Sequence, residues 1–192
     1  MSHERRRLTA ENSKWRIFFD HLDDGQGHEV HDYLVIESLH PRPDKIAGVC
    51  VLPIVNGRFL LIKFHRHALA TAVWETPRGF IDVGETPAEA ARRELTEETG
   101  LICAENDLIP LGIYAPEAST MAARGALFVA RHCTGTLRAA EDEIGLGELH
   151  LFKADEMACF IADGAVEDAG TLICYYRYMA LTAGQGSGVA AR

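Results

Sequence analysis

The segment TPAEAARRELTEETG, from Thr86 to Gly100, constrains this chain more than any other stretch. Thr86 is a good N-cap, and Pro87 takes the first helical position, where its missing N–H costs nothing. Glu89, three residues after Thr86, completes a capping box, and Gly100 stands where a left-handed cap ends a helix. Glu94 precedes Glu97 by three residues and Glu98 by four, so three carboxylates crowd one side of a short helix. Like charges at that spacing oppose folding unless something compensates. Arg93 can pair with Glu97, and Arg92 is near. A hard divalent cation such as Mg²⁺ compensates better, because it prefers oxygen ligands, bridges phosphate oxygens and acidifies a bound water. The alternative is a solvated acidic face held by salt bridges.

The flanks read as sheet. GVCVLPIV and RFLLIKF are apolar runs joined by Asn56-Gly57, the strongest short-range hairpin signal. Upstream, WRIFFDHLDD and HEVHDYLVIESL read as an antiparallel hairpin turning at Asp23-Asp24-Gly25. Pro41 and Pro43 then break the pattern as a linker. Further short strands are expected near 108–115 and 125–134 and in HLFKA, with a loop around 135–146. Helices are expected over 155–162 and 168–182. Strands with interspersed helices, without regular alternation, argue for an α/β fold with a mixed sheet packed against helices. The predicted organisation is a flexible N-terminus over 1–12, a β element over 13–44, a main domain over 45–182 and a flexible tail over 183–192.

Composition narrows the function. Acidic residues outnumber basic ones by 28 to 19, a formal charge of −9, so the whole chain is a poor electrostatic host for nucleic acid. A small phosphorylated substrate then needs local Arg or Lys, or a metal. No apolar run reaches the roughly 20 residues of a membrane span. The basic cluster in MSHERRRLTAENSKW is followed by no apolar stretch and does not read as a secretory leader, which points to the cytoplasm. The five cysteines are scattered, lack zinc spacing and read as buried free thiols.

Gly79 follows Pro77-Arg78, and Gly84-Glu85 precedes the N-cap, so a glycine-containing loop leads into the acidic helix. From Gly79 to Leu101, GFIDVGETPAEAARRELTEETGL resembles the Nudix box in full. The resemblance implies an α/β/α sandwich with a mixed sheet, and hydrolysis of a nucleoside diphosphate linked to another group. It makes Glu94, Glu97 and Glu98 metal-facing carboxylates, with the Gly79 carbonyl as a further ligand and Mg²⁺, or Mn²⁺ in its place, as the cofactor. Arg93 orients the glutamates through a salt bridge, and Glu85 supports the loop or the metal shell.

Over roughly residues 15–182 the chain is similar to the ADP-ribose pyrophosphatase branch of that family. The shared features are the N-terminal strands, Trp74-Glu75-Thr76-Pro77-Arg78-Gly79 and the downstream Pro116. Ala115-Pro116-Glu117-Ala118 departs from the branch's Ser-Pro-Gly pattern, and Arg78 replaces a commoner small residue; both differences bear on substrate choice. The branch often takes its catalytic base from a late glutamate. That points to Glu143, which would also join the metal site, with Glu141 second and Glu98 as the alternative.

Arg78, Arg66 and Lys63 are candidates to meet phosphates, and Trp15, Phe18, Phe19 and Tyr33 to stack on adenine. Some of these aromatics must instead pack the N-terminal sheet. His65 and His67 read as solvent-facing. The resemblance also implies a homodimer built through the N-terminal element. The expected activity is cleavage of ADP-ribose or a related nucleotide sugar. The alternatives are GDP-mannose, NADH or another nucleoside diphosphate derivative, a housecleaning enzyme for oxidised triphosphates, or a non-catalytic nucleotide-sensing module.

Overall fold

The computed structural model describes residues 5–140 and 143–186. By internal contacts the chain divides into two units, one of Met1–Ala47 with Tyr114–Gly125 and the other of Gly48–Ile113 with Ala126–Arg192.

The first unit is built on three antiparallel strands in the order β1 (Arg5–Glu11), β2 (Trp15–Asp23) and β3 (Glu29–Ser38). The middle and last strands form the expected N-terminal hairpin. The first is a correction, because the segment 1–12 was expected to be loose. RRRLTAE is exposed throughout and carries no alternating apolar signal. Its strand is held by ladder pairing and by Arg6, whose Nε and Nη2 donate to Asp20 Oδ1 and Oδ2 at 2.9 and 2.7 Å. Asp20 is only 1% exposed, so this bidentate pair compensates a buried charge. The segment 114–125 packs against the same sheet. Ile36 N donates to Thr120 O, Ala122 N donates to Ile36 O, both at 2.8 Å, and the Tyr33 hydroxyl donates to Ser119 O.

The second unit follows from two apolar hairpin strands, β4 (Ile46–Val55) and β5 (Arg58–Arg66). Asn56 and Gly57 both take positive φ, 49° and 75°, as a tight primed turn requires. From Val49 to Ile54 every residue is buried, the mark of a strand covered on both faces. Then come β6 (Thr71–Glu75), β7 (Arg78–Phe80), α1 (Pro87–Thr99), β8 (Leu101–Ile102), β9 (Leu108–Tyr114), β10 (Arg124–Ala130), β11 (Thr134–Gly135), β12 (Leu146–Phe152), α2 (Ala154–Ala162) and α3 (Ala169–Gly186).

The large mixed sheet has the order β12-β5-β4-β10-β9, with β6 on β5 and β7 on β4. The fold is therefore the expected α/β class, with an antiparallel strand element at the N-terminus. Leu52, Leu60, Leu61, Ile62, Leu95, Leu127 and Met157 fill its core. The last helix runs four residues past the expected end at Thr182, so the predicted flexible tail is helical as far as Gly186. Cys50, Cys133 and Cys174 are buried free thiols as expected, whereas Cys159 is exposed on α2.

A candidate active site on the acidic helix

The predicted caps of α1 are all present. Thr86 Oγ1 accepts from Glu89 N, the Glu89 carboxylate accepts from Thr86 N, Pro87 opens the helix, and Gly100 closes it at φ 71°. These caps fix the rotation of the helix and hence where its carboxylates fall. Glu94 and Glu98 are buried, at 9% and 2% exposure, while the Glu97 side chain is largely exposed.

A carboxylate on the inner face of a helix needs a reason to be there. Burial pushes the Glu98 carboxyl up to about 8, and the charges of Glu143 and Glu94 add to that effect. Burial likewise raises the Glu94 carboxyl, against the pull of Arg93. Arg78 N donates to Glu98 Oε2 at 3.2 Å, the contact that ties this carboxylate to β7. The strand also supplies Gly79, whose absent side chain makes room for Glu94: a β-carbon there would lie 2.0 Å from Glu94 Oε1. Gly79 thus packs directly against the Glu94 side chain.

Arg93 holds the cluster together. Its Nη1 donates to Glu94 Oε1 at 2.7 Å and to Glu97 Oε2 at 2.9 Å. Nε and Nη2 donate to the two Glu85 oxygens at 3.0 Å each, and Nη2 also donates to the Phe80 carbonyl at 2.8 Å. One guanidinium thus joins the helix to the preceding loop. The arrangement lowers the Glu85 carboxyl below its usual range through the Arg93 hydrogen bonds. Glu85 thereby ties the loop before α1 to Arg93, and it also accepts from Asp82 N at 3.0 Å.

Glu143 arrives from the loop before β12, and its charge acts on both Glu94 and Glu98. Glu141, the second choice for the base, lies outside the described residues. The result is an all-oxygen donor set with two carboxylates raised by burial and mutual repulsion. A hard divalent cation fits such a set, because it removes the repulsion and takes oxygen ligands without imidazole.

Arg66 and Arg78 flank this cluster, and both meet Glu75, which the sequence motif Trp74–Gly79 includes without giving it a role. Glu75 is 1% exposed; Arg66 Nε lies 2.7 Å from its Oε1, and Arg78 Nη2 also pairs with it. Arg78 Nη2 reaches Asp168 Oδ1 as well, at 2.7 Å. Asp168 in turn accepts from Thr171 N and Oγ1, and Thr171 Oγ1 accepts from Thr76 N at 2.8 Å. The available signal was Glu75 itself, a charge inside the apolar run TAVWE. Burial and neighbouring Arg78 lower the Arg66 guanidinium from its usual value, while Glu98, Asp168 and Glu143 oppose that.

The remaining candidates separate. Lys63, His65 and His67 are exposed, and Lys63 lies 5.6 Å from the centre of the Trp74 ring. Trp15, Phe18 and Pro116 belong to the first unit, where Arg6 stacks 4.7 Å over Phe18.

Comparison with known proteins agrees with this geometry. The family model described as NUDIX domain matches residues 44–172. An RNA pyrophosphohydrolase of Bartonella bacilliformis is 51% identical over 45 residues, 23% of this chain and 26% of that protein. One of Brucella ovis is 45% identical over 69 residues, 34% of this chain and 38% of that protein. The matched segments thus span well under half of these curated relatives. A solved structure described as an ADP compounds hydrolase has the same fold, with a TM-score of 0.78 over 95% of this chain and 94% of its own, at 21% identity. With the family model covering most of the chain and the box carboxylates gathered on one capped helix, the protein belongs to the NUDIX domain family.

Proposed function

We propose that this protein is a Mg²⁺-dependent pyrophosphohydrolase that splits ADP-ribose, or a related nucleoside diphosphate sugar, into a nucleoside monophosphate and a sugar phosphate. The observation that carries this reading is the buried Glu98 beside Glu94 and Glu143, with Arg93 bonded to Glu85, Glu94 and Glu97. A merely solvated acidic face gives no reason to bury two of its carboxylates.

Glu94, Glu97, Glu98, Glu143 and the Gly79 carbonyl are the groups that would hold the cation. Bound there, it supplies charge neutralisation on the diphosphate and lowers the pKa of a water. Glu143 takes the proton of the attacking water, with Glu141 second and Glu98 as the alternative base. Arg93 keeps the carboxylates aimed and does not itself touch substrate. Arg66 and Arg78 present positive charge beside the carboxylates, which favours a diphosphate approaching the cluster.

Several features favour a nucleotide sugar. The fold likeness to an ADP compounds hydrolase includes nearly the whole chain, and Trp74-Glu75-Thr76-Pro77-Arg78-Gly79 matches the ADP-ribose branch. The relatives acting on RNA raise a second reading, cleavage at an RNA 5′ end. A net charge of −9 disfavours a polyanionic RNA. Pro116 is proposed to contact the nucleoside, together with Trp15 and Phe18 from the N-terminal strands of a second copy, in a homodimer. Sedimentation equilibrium tests that assembly: a monomer mass of 21.1 kDa with full activity would refute it.

A substrate panel in Mg²⁺ tests the activity itself, with ADP-ribose, GDP-mannose, NADH, ATP and a 5′-triphosphorylated RNA compared at equal concentration. Fastest turnover is expected for ADP-ribose, with AMP as product. Preference for ATP or the RNA would overturn the proposed substrate class.

A further inference from the structure

Outside the acidic helix, the N-terminal sheet gathers a second set of side chains that the proposed reaction does not use. His21 lies on β2, and Glu29 and His31 lie on the facing β3. The ladder pairs Asp23 with Glu29 and Leu22 with Val30, then shifts register between Asp20 and Leu22. Alternation along each strand puts His21 and Asp23 on the same side as Glu29 and His31. His21 Nε2 lies 3.3 Å from Glu29 Oε2, and His31 Nε2 lies 3.5 Å from that same oxygen. The two imidazole centres are 4.6 Å apart. One ligand atom from each residue lies within 4.8 Å of the others.

We propose that His21, Glu29 and His31 form a binding site for a d-block divalent cation of the Zn²⁺ class. The spacing is the first argument. Zinc bonds of about 2.0–2.2 Å at a tetrahedral angle set neighbouring ligand atoms about 3.3–3.5 Å apart. The two nitrogen-to-oxygen separations fall at those values before any ion is added. The second argument is the donor set. Two imidazoles with one carboxylate select a borderline cation, whereas the carboxylate cluster on α1 selects a hard one. The third is access. The His31 and Glu29 side chains are 71% and 45% exposed, so a cation enters directly and solvent can fill the fourth position. Arg5, opposite His21 in the β1–β2 ladder, brings a positive charge to this side, and Asp23 and Glu29 offset it. The ion would clip β2 to β3 next to the turn that joins them.

Calorimetric titration of the tag-free full chain with ZnCl₂, in excess Mg²⁺ to fill the acidic helix, tests the site. His31→Ala is the diagnostic variant, since an exposed side chain can be removed with the fold kept, as circular dichroism will verify. His28→Ala is the control: His28 pairs with Asp24 in the adjoining turn and lies outside the cluster. The wild type and His28→Ala should bind one Zn²⁺ more tightly than His31→Ala does, by about tenfold or more. His21→Ala should match His31→Ala. Identical isotherms for the wild type and His31→Ala would overturn the site, as would an equal loss in His28→Ala, which would mean diffuse attraction to surface histidines.

Discussion

Gly79 and Glu94 share one volume: a β-carbon at residue 79 would sit 2.0 Å from Glu94 Oε1 and 2.2 Å from its carboxyl carbon. The glycine of the loop is thus a steric condition on the position of a helix carboxylate. The neighbouring strand β4 also comes close, since a β-carbon on Gly48 would lie 2.8 Å from the Gly79 carbonyl oxygen. Gly79→Ala should therefore displace Glu94. An error of about 1 Å in a catalytic group costs about a hundredfold in rate. Turnover near that of the wild type, measured at saturating Mg²⁺, would show that Glu94 does not need this position.

Arg93 tests whether geometry, as well as charge, matters at the cluster. Lysine keeps the positive charge but loses the planar fork that reaches Glu85, Glu94, Glu97 and the Phe80 carbonyl together. Arg93→Lys should raise the Mg²⁺ concentration needed for half-maximal activity by about 10–100-fold, the usual effect of removing a group that orients metal ligands. An unchanged Mg²⁺ requirement would confine Arg93 to loop stability.

The raised Glu98 carboxyl makes the metal-free protein sensitive to pH in an unusual direction. Burial pushes the folded Glu98 carboxyl up to about 8, against an ordinary 4.5. Between those values the folded chain binds more protons than the unfolded one, so stability falls as pH rises across that window. With EDTA present, the melting temperature should drop from about pH 5 to about pH 8. Glu98→Gln should flatten that slope, and Mg²⁺ should oppose it in the wild type. A slope of the same size in Glu98→Gln would assign the effect elsewhere.

What was legible in the sequence was local. The α1 caps and the Asn56-Gly57 turn each depend on a few neighbouring residues, and both were found where expected. The β1 strand was missed because RRRLTAE faces solvent throughout, and its anchor, Arg6 to Asp20, is a contact fourteen residues apart. The role of Glu75, named only within a motif, was missed for a similar reason. A charge in an apolar strand is explained only when its partners are visible, and Asp168, which completes the network through Arg78, is ninety-three positions away. Spacing alone located the helix carboxylates, but their unequal burial, with Glu97 outside and Glu94 and Glu98 inside, depends on what α1 packs against.

The central claim is that the α1 carboxylates carry metal-dependent cleavage of a diphosphate. Its most direct test is the rate of AMP release from ADP-ribose by Glu98→Gln at saturating Mg²⁺, beside the wild type. Glutamine keeps the shape of the side chain and removes its charge, so the fold should persist while metal-borne stabilisation of the developing charge is lost. The account predicts turnover lower by about a hundredfold or more. Turnover within a few-fold of the wild type would contradict it.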